Sequence, residues 1–254
     1  MLRSLKDLSR YTVTAKDGLI GKVVDFLLDD ERWVVRYLVV DASSLLNGRR
    51  VLVSPIAFRK VDWSTRLFHL SLTTERVKSS PPIDTERPVS RLHERDFNHY
   101  FRYPYYWEYS GLWGQGPRPE LFFSGIQDDV LKNAKKIKGD IHLRSVRSLC
   151  DCRAQGRDAD IGNVEDLIVD DEAWVIKYIV VDTSQWWYGK KVLVAPHWAT
   201  KVIWGARMIC VTMSRRDIEE SPEWTSNAPV SGEYELRLYD YHGHSTRLRG
   251  SSFS

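Results

Sequence analysis

The sequence predicts a mainly β protein built from two tandem small β-barrels, each with short appended helices, joined by an aromatic-rich linker. Three features predict this fold: a long internal repeat, short runs of β-branched and aromatic residues bounded by turn residues, and weak helical periodicity within those runs. Strands that follow one another without intervening helices favour a small closed barrel over a βαβ arrangement.

The internal repeat has an offset of 141 residues, which is the separation of Leu19 from its counterpart Asp160. Positions 17–63 and 158–204 align without a gap and are identical at 23 of 47 residues. The repeated unit is much longer than the roughly 20 to 50 residues of a solenoid repeat, so each copy is a whole domain. We predict four segments: a first barrel domain at residues 1–103, the aromatic linker with a short amphipathic helix at 104–142, a second barrel domain at 143–245, and a basic flexible tail at 246–254.

The composition indicates a folded protein with a weak electrostatic field. Of the 254 residues, 43% are hydrophobic, and 37 basic residues nearly balance 34 acidic ones, for a net charge of +3. This excludes the signature of disorder and does not require nucleic acid as a partner. No stretch of about 20 residues lacks charge, and the first residues have no apolar signal-peptide core, so we expect a cytoplasmic protein without a membrane span.

The first two predicted strands of each repeat flank an acidic turn. In the first copy they run from Lys22 to Leu28 and from Trp33 to Val40. Arg36 interrupts one face of the second strand, and its counterpart Lys177 interrupts the same face in the other copy. Side chains alternate between the two faces of a strand, so one side of the sheet should be partly wet.

A corner then leads to a third strand and a fourth. Gly48 precedes the strand from Val51 to Val53, and Pro55 ends it because proline cannot continue the ladder. The fourth strand begins at Leu67 and alternates apolar with polar residues, which predicts one inward face.

Two helices are predicted at the end of each repeat unit. Ser214 and Asp217 have the spacing of a capping box, and Pro222 ends the short helix that they begin. A second helix is predicted from Ser90 to Phe101.

The linker is crowded with large aromatic residues. Each of them removes on the order of 150 to 250 Å² from water when buried, so we expect the linker to wrap a barrel or to bridge two of them. Its end spaces Val130, Leu131, Ala134 and Ile137 along one face of a short helix, with lysines opposite.

Three motifs together resemble the PRC-barrel family, which is named for the cytoplasmic part of the photosynthetic reaction centre H subunit and includes a domain of a ribosome maturation factor. They are GKVVD at residues 21–25, RYLVVD at 36–41 and GRRVLVSP at 48–55, with IGNVED, KYIVVD and GKKVLVAP in the second copy. The resemblance covers both copies and implies compact barrels that dock onto protein or ribonucleoprotein assemblies. These motifs are structural and say almost nothing about an activity.

Acidic residues at matching positions allow two interpretations. The turns at 29–31 and 170–172 could supply oxygen ligands to a hard cation, but a hairpin turn explains the same residues. A second set has the residue type of paired catalytic acids, although structural hydrogen bonds explain its repetition: Asp25, Asp41, Asp166 and Asp182.

Cysteine and histidine residues give no repeated site. Cys150, Cys152 and Cys210 are replaced by Ser9, Tyr11 and His69 in the first copy, and His242 with His244 lacks a third ligand. No phosphate loop or nucleophile elbow is present in the sequence, so we predict a protein that is not an enzyme and that needs no metal or cofactor.

The partner-binding prediction concerns the corner between the second and third strands, and the linker. Aromatic residues bordered by lysines, where a loop normally carries polar residues, are typical of an interface anchor, although packing onto the linker of the same chain is the alternative. The predicted binding residues are Leu45, Leu46, Trp186, Trp187, Tyr188, Lys190, Lys191, Tyr105, Tyr106 and Trp107.

Two functions follow from these features. The first is a protein-interaction or scaffold module, with a protein partner or a homo-oligomer. The second is an RNA- or ribosome-associated assembly factor that binds through basic residues of the linker and tail, namely Lys132, Lys135, Lys136, Lys138, Arg247 and Arg249. Phosphate contacts weaken steeply with salt and aromatic contacts do not, so salt dependence separates the two functions.

Overall fold

The chain is mainly β and forms two sheets in two compact units. Unit 1 comprises Met1, Arg3–Arg147 and Val169–Ile176, and unit 2 comprises Leu2, Ser148–Ile168 and Lys177–Ser254. The computed structural model describes residues 1–46, 48–82, 89–114, 116–121, 141–184, 189–225 and 234–238.

The boundaries of the compact units fall at other residues than those of the predicted segments, since unit 1 extends to Arg147 and Leu2 belongs to unit 2. The described part of the linker belongs to unit 1 rather than forming a separate segment. The tip of the second repeat's first hairpin, Val169–Ile176, also belongs to unit 1, although the strands on either side of it run through unit 2.

Residues 1–145 contain nine strands and short helices, counted over the described part of the chain, and the ninth strand is the counterpart of the first in the second repeat. The strands are β1 (Leu2–Ser4), β2 (Thr12–Thr14), β3 (Leu19–Asp29), β4 (Val34–Asp41), β5 (Arg50–Val53), β6 (Phe58–Asp62), β7 (Leu67–Leu70), β8 (Val89–Ser90) and β9 (Ile141–Ser145). The α-helices are α1 (Leu5–Leu8), α2 (Ser43–Leu46), α3 (Thr74–Lys78) and α4 (Arg91–Phe101), with 3₁₀ turns at Pro55–Ala57, Tyr106–Glu108 and Pro119–Leu121.

The rest of the chain follows the same sequence of elements. Its strands are β10 (Arg153–Gln155), β11 (Asp160–Asp170), β12 (Ile176–Asp182), β13 (Lys191–Val194), β14 (Ala199–Ile203) and β15 (Met208–Val211). Its helices are α5 (Val146–Cys150) and α6 (Arg215–Glu220), with 3₁₀ turns at Pro196–Trp198 and Trp204–Ala206 and a further helix at 234–238.

The two sheets have the same strand order. It is β5-β4-β3-β2-β7-β6 in one and β13-β12-β11-β10-β15-β14 in the other. β2 pairs parallel with β7, and β10 pairs parallel with β15. In unit 1, β9 adds to β3 in antiparallel register, with Leu28 opposite Arg144.

Each sheet must curve, because its two end strands are consecutive in the chain. Five residue steps join Val53 at the end of β5 to Phe58 at the start of β6, and they span at most about 18 Å. In a flat sheet, five gaps of about 4.8 Å would place these strands roughly 24 Å apart. The sheet therefore bends to bring its edges closer, although no ladder closes either path within the described residues.

The predicted strands are found, and further short strands were not predicted: β6 lies between the third and the fourth, and β1, β2, β8 and β9 lie outside the four. β3 and β4 contain the predicted first hairpin, and the apolar Phe68 and Leu70 of β7 are buried as predicted. β2 was missed because it has only three residues. β6 was missed because Arg59 and Lys60 are exposed, as is common on an edge strand.

The prediction that one face of the second strand is partly exposed to solvent is wrong for the first repeat. Arg36 is 1% exposed and pairs with the equally buried Asp29. Lys177, at the equivalent position, is exposed as predicted. The covering segment comes from the linker, which the strand pattern alone does not include.

The two helices predicted at the ends of the repeats are confirmed, whereas the amphipathic helix predicted near the end of the linker lies outside the described residues. The Ser214 side chain accepts a hydrogen bond from Asp217 N, and the Asp217 side chain accepts one from Ser214 N, which completes the capping box of α6. α4 begins at Arg91, and its C-cap Arg102 adopts a left-handed conformation with φ 59°. Among the described residues, no helix has the length and apolar character needed to cross a membrane.

Candidate functional site

The corner between the second and third strands has the same base in both repeats. Ala42 N donates to Arg49 O at 3.2 Å, and at the equivalent positions Thr183 N donates to Lys190 O at 3.0 Å. The Thr183 hydroxyl adds a second bond to the same carbonyl at 2.7 Å. Each pair closes a loop of six residues, SSLLNG in the first repeat and SQWWYG in the second.

A basic residue clamps each corner to the helix that follows the fourth strand. The Arg49 guanidinium donates to the carbonyls of Lys78 and Ser80, at 3.1 and 2.6 Å. At the equivalent position, Lys190 Nζ donates to Glu219 O and to Ser221 O. Carbonyls at the C-terminus of a helix lack intrahelical partners and carry partial negative charge, so a cation is favoured there.

The lysines predicted to border the aromatic corner are both engaged within the chain. Burial lowers the pKa of Lys190, against the raising effect of nearby Glu223 and Glu219. Lys191 Nζ lies 2.7 Å from a carboxylate oxygen of Glu165. Neither cation is therefore a freely solvated charge next to the corner.

The ends of both corners are exposed to solvent. Gly48 (φ 87°) and Gly189 (φ 54°) have left-handed backbones, and a Cβ at either position would have no neighbour within 4 Å. Leu45 is half-buried in α2, whereas the side chain of Leu46 and residues 185–188 lie outside the described part of the chain. The predicted anchors Trp186, Trp187 and Tyr188 are among those residues, so their binding role stays a prediction.

A small pocket in unit 2 adjoins the base of the second corner. Its volume is about 20 Å³, enough for about one water molecule. Its lining combines an apolar floor with a rim of both charge signs, from Asp160, Ile161, Thr183, Lys190, Arg215, Ile218 and Glu219.

The linker aromatics predicted to contact a partner are largely internal to unit 1. Tyr105 and Tyr106 are each 4% exposed, and Trp107 is half-buried. Burial raises the pKa of both tyrosines. These two tyrosines leave little surface for a partner; Tyr106 lies against Arg36 of β4, and Tyr105 stacks on Trp107.

A buried polar cluster in unit 1 was not predicted from the sequence. Tyr106 Oη lies 3.1 Å from Glu94 Oε2 and 3.0 Å from His142 Nε2, and the His142 and Glu94 side chains are 1% and 0% exposed. Tyr37 Oη lies 2.8 Å from Glu94 Oε1, so the helix α4, the linker and β4 meet at one carboxylate. Burial is the main cause that raises the pKa of Tyr37.

The same cluster explains the buried Arg36. Its guanidinium lies 3.5 Å from the centre of the Tyr106 ring, and it donates to Leu112 O and to the Asp29 carboxylate. A lone arginine in an otherwise apolar strand was the available sequence signal. A buried guanidinium needs several acceptors, and here distant segments supply them.

Comparisons with known proteins give no family. A scan against protein-family models finds no match, and a search of curated proteins finds no match.

The candidate acids make the same backbone bonds in both repeats. Asp29 Oδ1 accepts from Glu31 N and Arg32 N, and Asp170 Oδ1 accepts from Glu172 N and Ala173 N. These contacts are those of a hairpin turn, the simpler of the two interpretations of the acidic triplets.

The strand acids show the same repetition. Asp41 and Asp182 accept from the backbone N–H two residues later, at 2.9 and 2.8 Å. Asp25 and Asp166 accept from the next backbone N–H, at 2.8 and 2.7 Å. Each acid therefore has a local structural partner.

The structure describes the candidate cysteines but not the candidate histidines His242 and His244. Cys152 is buried, its Sγ donates to Ser148 O at 3.4 Å, and burial raises its pKa. Within the described ranges, no three Cys, His, Asp or Glu side chains are grouped as a metal site would require. His242, His244 and the predicted RNA-binding residues of the linker and tail lie outside those ranges.

Proposed function

We propose that the chain is a non-enzymatic binding or scaffold module of the PRC-barrel type, which recognises a protein partner through the corner at residues 184–189. The carrying observation is the repeated base of this corner. The same closing bond and the same clamp to the helix end hold the base of the loop in both repeats, while the amino acids of the loop differ. A fixed scaffold with a variable loop is the usual arrangement of a binding surface.

The barrel part of this proposal is supported by sheet geometry. The end strands of each sheet are joined by a short 3₁₀ turn, which requires strong curvature. The motifs that resemble the PRC-barrel family occupy β3, β4 and the corner leading into β5. Closure of each curved sheet into a small barrel is the proposed end point of this arrangement.

The non-enzymatic part is supported by how the acids are used. Matching turn and strand positions in the two repeats make matching backbone bonds, as structural residues do. A general acid or base would instead need to be oriented toward a substrate position.

The test compares the two corners of the full chain. Trp186→Ala/Trp187→Ala alters the aromatic corner, and Leu45→Ala/Leu46→Ala alters the equivalent corner of the first repeat as the matched control. We expect proximity labelling to lose its main captured proteins with the first pair only, and purified captured protein to bind the wild type and the control alike. An unchanged captured set with Trp186→Ala/Trp187→Ala would show that this corner is not the interface.

Two further readouts separate the other possibilities. Light scattering of the purified chain shows whether the partner is a second copy. In that case the measured molecular mass of Trp186→Ala/Trp187→Ala is lower than that of the wild type. A salt titration separates protein from RNA as the partner. An aromatic contact changes little with salt, whereas binding to phosphates loses about 10³- to 10⁵-fold in affinity between 50 and 200 mM salt when six to ten phosphates are contacted.

A further inference from the structure

The tips of the first hairpins of the two repeats pair with each other inside unit 1. The first tip is residues 30–35 and the second tip is residues 171–176. Val34 and Val175 form an antiparallel bridge, and both tips belong to unit 1.

The hydrogen bonds across this bridge are reciprocal. Val35 N donates to Trp174 O at 2.8 Å, and Ile176 N donates to Trp33 O at 2.7 Å. With the repeat offset of 141, Val34 faces its own equivalent residue, Val175. The two flanking hydrogen bonds likewise join equivalent donors to equivalent acceptors. This is the rule of an isologous interface, in which one residue contacts a second and the second contacts the first.

An ion pair repeats the same symmetry. Arg144 Nε lies 3.4 Å from Asp30 Oδ2, and Arg3 Nε lies 2.9 Å from Asp171 Oδ2. Arg3 and Arg144 are equivalent positions, and so are Asp30 and Asp171. Two unrelated surfaces in contact would not generate matched pairs at one constant offset.

The second tip also fills space in the core of unit 1. Trp174 is 1% exposed, and its ring centre lies 5.3 Å from that of Phe58 and 6.1 Å from that of Phe68. The linker contacts both tips, but through different groups: Trp113 Nε1 donates to Ala173 O at 2.8 Å, whereas the Arg32 guanidinium donates to Gly111 O and Tyr109 O. The contact thus has a symmetric centre with an added asymmetric cover.

We infer that the hairpin tip of each repeat is a homotypic pairing surface, whose partner is another copy of the same tip, and that in this chain the two tips occupy each other. The duplication supplies in one chain what a single repeat would obtain from a second molecule. The tips are therefore not available for association between chains while both are intact.

A cysteine pair in the full chain tests this occupancy. The two flanking bonds make Val34 and Val175 a non-hydrogen-bonded pair, whose Cα atoms lie about 4.5 Å apart, within the range of about 4.4 to 6.8 Å for disulfides. We expect Val34→Cys/Val175→Cys to oxidise to one intramolecular disulfide in a monomeric chain, assigned by peptide mapping because three native cysteines are present. A disulfide-linked dimer, or two thiols that stay reduced, would overturn the inference.

A second variant tests the homotypic property itself. Ile176→Pro removes the N–H that bonds Trp33 O, and Trp174→Ala removes the buried ring, so together they displace the second tip. When Val34→Cys is added to this chain, we expect dimers linked through the introduced thiol of each copy, and none from Val34→Cys alone. A variant that keeps its circular dichroism spectrum but forms no such dimer contradicts the inference, and the cysteine pair above decides the case if the variant unfolds.

Discussion

Arg36 and Asp29 form an ion pair in the interior of unit 1, with Nη2 and Oδ2 3.0 Å apart and each side chain 1% exposed. The equivalent pair in the second repeat is Lys177 and Asp170, and there the lysine is exposed. The same strand position thus carries a buried charge in one copy and a solvated charge in the other. Described residues of the linker, Leu112 and Tyr106, cover the charge of the first copy.

Arg36→Met should destabilise unit 1 by about 3 to 5 kcal/mol, because it leaves the Asp29 carboxylate buried without its cation. Lys177→Met is the matched control and should change the free energy of unfolding by less than about 0.5 kcal/mol. Urea denaturation followed by tryptophan fluorescence measures both. Adding Asp29→Asn to Arg36→Met should recover part of the loss, and equal effects of the two methionine variants would contradict the assigned role of the pair.

Gly21→Ala should be strongly destabilising, because a Cβ at Gly21 would lie 1.8 Å from Asp41 O, a backbone atom that cannot move aside. Gly162 meets Asp182 O at 2.2 Å in the same way, so Gly162→Ala should behave alike. Gly205→Ala is the control, since a Cβ there has no neighbour within 4 Å. Thermal unfolding should show a large drop in Tm for the first two and little change for the third.

Trp174→Ala should cost about 3 to 5 kcal/mol, as is typical when a fully buried large aromatic side chain is truncated. Leu236→Ala, at a position that is 65% exposed, should stay within about 0.5 kcal/mol of the wild type. Chemical denaturation of the two variants gives the comparison. A mild effect of Trp174→Ala would mean that the second tip contributes little to the core of unit 1.

The chain should lose stability as the pH rises above about 10. Tyr37 and Tyr106 have folded-state pKa values raised above the ordinary value of 10.0, chiefly by burial. As the pH rises, these two tyrosines ionise in the unfolded chain at a lower pH than in the folded chain. Their contribution to the stability of the fold is therefore fully present below pH 10 and is lost as the pH rises toward the folded-state pKa. Denaturation between pH 8 and 11 measures the slope, which Tyr37→Phe/Tyr106→Phe should flatten. A slope that the double variant leaves unchanged would assign the alkaline loss to other groups.

Local features were predictable from the sequence because they depend on residues close together in the chain. The first hairpin, the turn acids, the inward face of β7 and the capping box of α6 all follow from spacing over a few positions. The positive φ of Gly48 and Gly189 is also local.

The sequence predicted where the candidate site lies, but not the contacts that its residues make. The corner is exposed at its ends, but Lys190, expected as a border cation, is bound to carbonyls 29 and 31 positions away. A sequence pattern does not show which distant carbonyls a lysine can reach.

The longer strands, the hairpin turns, the capping box of α6 and the offset between the two copies could thus be derived from the amino-acid sequence. The burial of Arg36, the polar cluster around Tyr106 and the place of Trp174 in the core of unit 1 became visible only in the folded chain. Burial depends on what covers a face, and here the cover comes from the linker and from the opposite repeat, far away along the chain.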